Sequence, residues 1–344
     1  MRTPLALLIA LALSGGTRVD ELVYRPAPGA TLVRTIEQKS SQELETLKVT
    51  MDGEELPPEF LESVSMQLGT SARYTITDVL ESVSEGRPRR LVRTFDELTM
   101  GDSSHTNGPD GEQSRTGEYE SALEGQSVLF AWNAEADDYD VSFREGSHGD
   151  AALLAGLDVE LDLREFLPPG PVAPGAEWEV DVAAFRPMME PGGDLHLLDP
   201  KDEAAGAERD HAREQRQRAS LREHLGGTIH ARYRETRVEA ASRLAVIDLA
   251  VEAGSQDEQT DVGPAGDVPE GMTGKTRTEL GFALKGELVW DLEHGHAHTF
   301  RLAGENRVTL SQVLSGAMEG EAFEQVQTMA FRGTMTFSVR VERR

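Results

Sequence analysis

The sequence predicts a mainly β protein: antiparallel meander sheets in two related halves, curved like a half-barrel, with short covering helices and one long exposed charged helix. Three observations predict it. Apolar and polar residues alternate with period two over most of the chain; a Pro/Gly-rich join at 167–177 separates two runs of strand signals; and the 199–225 segment carries helix start and stop signals but little to bury. Composition agrees with a folded chain, since 33 Gly and 16 Pro in 344 residues fall well short of the roughly 25–30% that argues for disorder. A formal charge of −27 repels polyanions, so nucleic acid is excluded as a partner.

Met1-Arg2-Thr3 followed by an apolar run from Leu5 to Leu13 is the pattern of an export signal, too short to span a bilayer as a helix. Small residues from Ser14 to Gly16 give the expected cleavage site, so residues 1–16 read as a signal peptide and the mature chain as periplasmic or extracellular. Intact mass of protein from the envelope fraction is expected to lack these residues. With no cysteine, neither a disulfide nor a lipidated cysteine is available, and no later stretch is long and apolar enough for a transmembrane helix.

The first half, 20–166, opens with strands at Thr31 to Glu37 and Leu47 to Met51, the second ending on the turn pair Asp52-Gly53. Pro57-Pro58 then starts a short helical face of Phe60, Leu61, Val64 and Leu68. Strands are predicted at Tyr74 to Val83, Arg90 to Leu98, Gly117 to Leu123, Ser127 to Trp132 and Tyr139 to Phe143. Asp150 to Leu161 places four leucines on a helical stripe, although Val159, Leu161 and Leu163 also alternate; helix is the expectation. Four prolines and two glycines in Leu167 to Gly175 exclude any regular element.

The second half, 178–344, begins with a strand at Trp178 to Val182. The long helix follows: Asp199 as N-cap, Pro200 at the first helical position, and Gly226-Gly227 as the stop. Its seven acids and six bases leave mainly alanines to bury, so it reads as a solvated insertion or as a partner-binding arm through Arg209, Arg213 and Arg216. Strands return at Thr228 to Glu239, Leu244 to Val251, Thr276 to Leu284, Glu287 to Leu292, His298 to Leu302, Arg307 to Leu314 and Arg332 to Val341, with Gly254 to Gly274 expected as a mobile loop.

Ala122-Leu123-Glu124-Gly125-Gln126 matches Ala283-Leu284-Lys285-Gly286-Glu287 at an offset of 161, each followed by a Trp and an acidic turn. Val83 to Leu98 and Val238 to Ala253 share a strand and turn order, which points to a duplicated meander. Val79 to Phe95 with its Gly86 turn and Arg93-Thr94-Phe95, then the Leu167 to Trp178 join with Val172 and Gly175, then Pro191-Gly192-Gly193, resemble exported bacterial β-rich proteins. Those in turn resemble the curved half-barrel of lipoprotein carriers of the LolA and LppX type. The resemblance covers most of 30–340 and rests on turn and linker residues. It implies a sheet wrapped around an apolar cleft and carries no catalytic residue; the charged insertion departs from it.

Chemistry-bearing motifs are few. His294, His296 and His298 fall within five residues, and in a strand His296 and His298 would offer two imidazoles to one Zn²⁺ or Cu²⁺ beside Asp291 or Glu293. Gly295 offers the alternative of a hairpin turn with exposed histidines. Gly101-Asp102-Ser103 and Asp291-Leu292-Glu293-His294 resemble the nucleophile block and Asp-x-x-His spacing of GDS-type esterases, but Ser103 is expected in a loop rather than before a helix. Asp137, Asp138 and Asp140 read as solvated turn acids, and Trp132 and Trp290 as core residues in corresponding places. Phosphate-loop, nucleophile-elbow and dinucleotide signatures are lacking. The expectation is a non-enzymatic, cofactor-free binding or carrier protein of the envelope for a hydrophobic or lipid-like molecule; an interaction module that meets an envelope protein, or a hydrolase, are the alternatives.

Overall fold

The computed structural model describes residues 19–344 except 58–60, 62, 110, 202–203, 240–241, 261, 264–265, 268–271 and 319–320. The expected signal peptide and Phe60 lie outside the described residues. The first half supplies β1 (Thr31–Met51), β2 (Glu54–Glu55), β3 (Ser65–Ser84), β4 (Arg87–Gly108), β5 (Gly111–Tyr119), β6 (Ser127–Asn133) and β7 (Asp138–Phe143). The second supplies β8 (Glu177–Val180), β9 (Gly226–Glu239), β10 (Ser242–Thr260), the short pair β11 (Val262–Gly263) and β12 (Gly266–Asp267), β13 (Thr273–Asp291), β14 (His296–Met318) and β15 (Glu321–Arg343).

All but β11 and β12 join one 13-stranded antiparallel sheet, ordered β7-β6-β4-β3-β1-β15-β14-β13-β10-β9-β8, with β2 beside β1 and β5 beside β4. The sheet is not closed into a barrel. The order β7-β6-β4-β3-β1 is repeated by β14-β13-β10-β9-β8, and β15 joins the two sets by pairing with β1 and β14. The two Trp hairpins correspond at an offset of 158: Trp132 faces Tyr139 and Trp290 faces Ala297 across four-residue turns. Asn133 and Asp291 accept turn N–H groups, and Asp137 (φ 53°) and Gly295 (φ 64°) hold the same left-handed position. The Ala-Leu-x-Gly-x segments do not correspond, one being the turn before β6 and the other the interior of β13.

Strands predicted as pairs fuse. Thr31 to Glu37 and Leu47 to Met51 are one strand, as are Thr276 to Leu284 with Glu287 to Leu292, and His298 to Leu302 with Arg307 to Leu314. The polar stretch Gln38 to Glu43 has no apolar period to reveal it, yet β3 and β15 supply its ladder on both sides. For the same reason β10 runs through to Thr260 where a mobile loop was expected, and β4 carries Ser103 to Gly108. Leu68 belongs to β3, not to a helix face.

One face of the sheet is a water-facing ladder of charge: Arg234 reaches Asp248 (2.6 Å) and Glu287 (2.9 Å), Arg332 reaches Glu305 (2.8 Å), and Arg73 pairs with Glu37. The other face carries Leu32, Ile36, Ile76, Leu80, Ile247, Leu249, Phe300, Leu302, Phe337 and Val339, all buried. The segments 144–176, 181–201 and 211–225 cover it. Phe166 packs against Phe300 (5.2 Å between centroids) and Phe185 against Phe282 (5.5 Å), both with tilted rings, and Arg93 donates to the carbonyls of Asp158 (2.6 Å) and Val159 (3.0 Å).

Within this cover the helix expected over Asp150 to Leu161 is only a 3-10 turn, Ala151–Leu154, capped by Asp150. Gly156 takes φ 79° and Leu157 bridges Gly193, so the chain leaves the helical path; Leu161 and Leu163 are both buried, with Leu163 itself left-handed (φ 61°). Gly193 itself has φ 82°, and an added Cβ would stand 2.1 Å from the Gly156 carbonyl oxygen. Gly193→Ala is therefore expected to cost about 1–3 kcal/mol in urea unfolding. The cover's helices are α1 (Arg186–Met189) and α2 (Ala204–Glu223). The C-terminal half of α2 is docked rather than solvated: Gln217 donates to Thr278 (3.0 Å), Ser220 to Asp257, and the Leu221 carbonyl accepts from Ser255. A polar helix suits this place because the sheet face beneath it is itself polar. Arg216 is exposed; the side chains of Arg209 and Arg213 lie outside the described residues.

Candidate functional site

Between the cover and the inner sheet face lies a chamber of about 390 Å³, a size that suits a small molecule. Strands β1, β3, β4 and β5 form its floor, the 189–197 loop and α2 its roof. Ala72, Tyr74, Met100 and Leu197 provide apolar wall; Asp102 and Arg218 bring charge. The alternation of β3 sends Ala72 and Tyr74 to the same side, and the pairing of Ala72 with Met100 sets the latter beside them. Burial, with Glu190 adding to it and Arg218 opposing, pushes the Tyr74 hydroxyl up to about 12, so it stays protonated. Asp102 Oδ1 is buried over Gly117 without a hydrogen-bond partner. A larger hollow of about 720 Å³, along Trp178, Arg232, Asp248 and Lys285, is a dip in the charged outer face.

Above the chamber, Asp194, His196 and His211 hold ligand-type atoms within 4.8 Å of one another, with His211 Nε2 3.1 Å from Asp194 Oδ2. A second such group, Asp291, His294 and His296, sits at the β13–β14 hairpin. Asp291 Oδ1 accepts from the N–H groups of Glu293 and His294, and Oδ2 lies 2.9 Å from His294 Nδ1. Burial pushes the Asp291 carboxyl up, but those hydrogen bonds more than offset it and hold it below its ordinary value. Burial likewise keeps His296 neutral, pushing its pKa down against the pull of the Ala297 carbonyl and Asp291.

The register separates His296 from His298. Val289 faces Thr299 while Trp290 faces Ala297, so His298 is the extra residue of a β-bulge and His294 takes its place beside His296. Ser103 sits inside β4, not in a loop, paired with Gly69 and Thr116. Following the register through Gly69, Ser41 and Thr334 brings it level with Glu305, about 30 Å along the strands from the hairpin that holds His294. No Ser103–His294–Asp291 triad is assembled. Trp290 is fully buried as expected, whereas Trp132 is half-buried under the Arg87 guanidinium at 4.4 Å.

The chamber residues carry no shared sequence signal because they come from six elements spread between Gln38 and Arg218. Pro191 and Gly193 of the Pro191-Gly192-Gly193 segment line the chamber. No protein family matches the chain, and no curated protein does. Among solved structures, the crystal structure of an outer membrane channel from Pseudomonas putida F1 is similar at 12% identity, covering 93% of this chain and 98% of that one, with a TM-score of 0.20. A TM-score that low transfers neither fold nor function to this chain.

Proposed function

We propose that the chain is an exported, non-enzymatic binding protein of the cell envelope that holds a small amphiphilic molecule in the chamber between its curved sheet and its cover. The observation that carries this reading is the chamber itself: a partly open, mixed-polarity space with apolar wall at Ala72, Met100 and Leu197 and unsatisfied polarity at Asp102. The ligand's apolar body lies along those walls, and its polar end brings a hydrogen-bond donor to Asp102. The signal expected at 1–16 supports export, and the resemblance to half-barrel carriers supports binding over catalysis. Unlike an open carrier, this sheet has its deepest apolar surface covered by its own segments 144–176 and 181–201, which favours a single-chain amphiphile over a larger, multi-chain lipid.

Titration with a hydrophobic fluorescent dye tests the reading. The dye is expected to saturate at one site and to be displaced by single-chain amphiphiles, and Ala72→Trp, which fills the chamber, is expected to weaken it at least tenfold. Equal dye binding by the wild type and by a folded Ala72→Trp variant would refute it.

A further inference from the structure

The β13–β14 hairpin carries more chemistry than its fold requires. Its counterpart at β6–β7 makes the same turn with Asn133, Ala136 and Asp138 where this one has Asp291, His294 and His296. The side-chain oxygen at the first position closes both turns, so neither imidazole is needed for the turn. His296 is only 4% exposed, and its Nδ1 lies 2.7 Å from the Ala297 carbonyl oxygen. A carbonyl only accepts, so Nδ1 carries the proton and Nε2 presents a lone pair. That Nε2 is buried and has no hydrogen-bond partner. An orphaned imidazole lone pair, oriented by a backbone carbonyl on its other nitrogen, is the arrangement of a metal-ligating histidine.

We propose that Asp291, His294 and His296 bind one Zn²⁺ ion. Their ligand-type atoms lie within 4.8 Å of one another, against the roughly 3.3 Å that tetrahedral bonds of about 2.05 Å require, so rotamer-scale movement closes the site. One carboxylate and two imidazoles suit zinc, and three protein ligands leave a fourth position for water on the side where His294 is half-exposed. The ion secures the hairpin beside the amino-terminal segment, whose Arg25 N–H donates to the Gly295 carbonyl (2.9 Å). The cluster at Asp194, His196 and His211 lies apart from it on the cover and serves as the internal control.

Zinc titration of the full chain by calorimetry, with cobalt(II) absorption as a second readout, tests the site. One zinc per chain is expected. Loss of a group that only hydrogen-bonds a metal ligand typically weakens a metal site 10–100-fold, so His294→Ala and His296→Gln should each weaken binding by roughly a hundredfold or more. His298→Ala and His211→Ala should leave it unchanged. His294 is half-exposed, so His294→Ala is the decisive variant if His296→Gln does not fold. No uptake by the wild type, wild-type binding in His294→Ala, or loss of the site in His211→Ala would each overturn the assignment.

Discussion

Replacing Asp78 by alanine is expected to destabilise the protein by about 3–5 kcal/mol, because it leaves buried charge unpaired. Asp78 sits in β3 at 1% exposure between Arg93, itself fully buried, and Arg34. It accepts from Arg93 at 2.8 and 3.1 Å and pairs with Arg34 across the sheet. Arg93 also holds the cover through the Asp158 and Val159 carbonyls, so the loss reaches both layers. Urea denaturation measures it; a change under about 1 kcal/mol, as for an exposed pair, would contradict the account.

The same group sets an acid limb. Burial pushes the Asp78 carboxyl up, but the charges and hydrogen bonds of Arg93 and Arg34 outweigh it and hold it below 3.8. A pKa lower in the folded than the unfolded state stabilises above the unfolded value and is lost as pH falls through the folded one. Asp158 and Asp162 have the opposite sign, since burial raises both, so they cost stability at neutral pH and cease to do so as they protonate. Stability against pH is therefore expected to fall steeply only below about pH 4, and Asp78→Asn should flatten that fall.

Phe166→Ala is expected to cost about 3–5 kcal/mol and to loosen the cover before the sheet. The ring is buried against Phe300, and its own carbonyl accepts from Trp178 Nε1 at 3.1 Å, fixing the Pro/Gly-rich join to the start of the second half. Hydrogen exchange should show faster amides across 150–198 while the β1–β15 pairing stays protected. Protection lost evenly across sheet and cover would mean that the cover is not a separate layer.

The sequence disclosed what local chemistry determines. Asp52-Gly53 turns the chain with φ 53° and 82°, Trp290 fills core, and α2 ends just before the expected Gly226-Gly227 stop, although Pro200 lies in a turn rather than at the first helical position and α2 is described from Ala204. It disclosed less where neighbours decide. Gln38 to Glu43 is strand because β3 and β15 flank it, and Leu153 to Leu161 leaves helix because Gly156 and the Gly193 bridge draw it out. The metal-type cluster was half legible: Asp291 and the histidines stood together in sequence, but a one-residue bulge decides that His294, not His298, joins His296.

Native mass spectrometry of the intact protein, purified under mild conditions, tests the binding reading most directly. The wild type is expected to carry an added mass that organic extraction removes and that Ala72→Trp lacks. Bare protein mass in both, with no mass gained on incubation with single-chain amphiphiles, would contradict it.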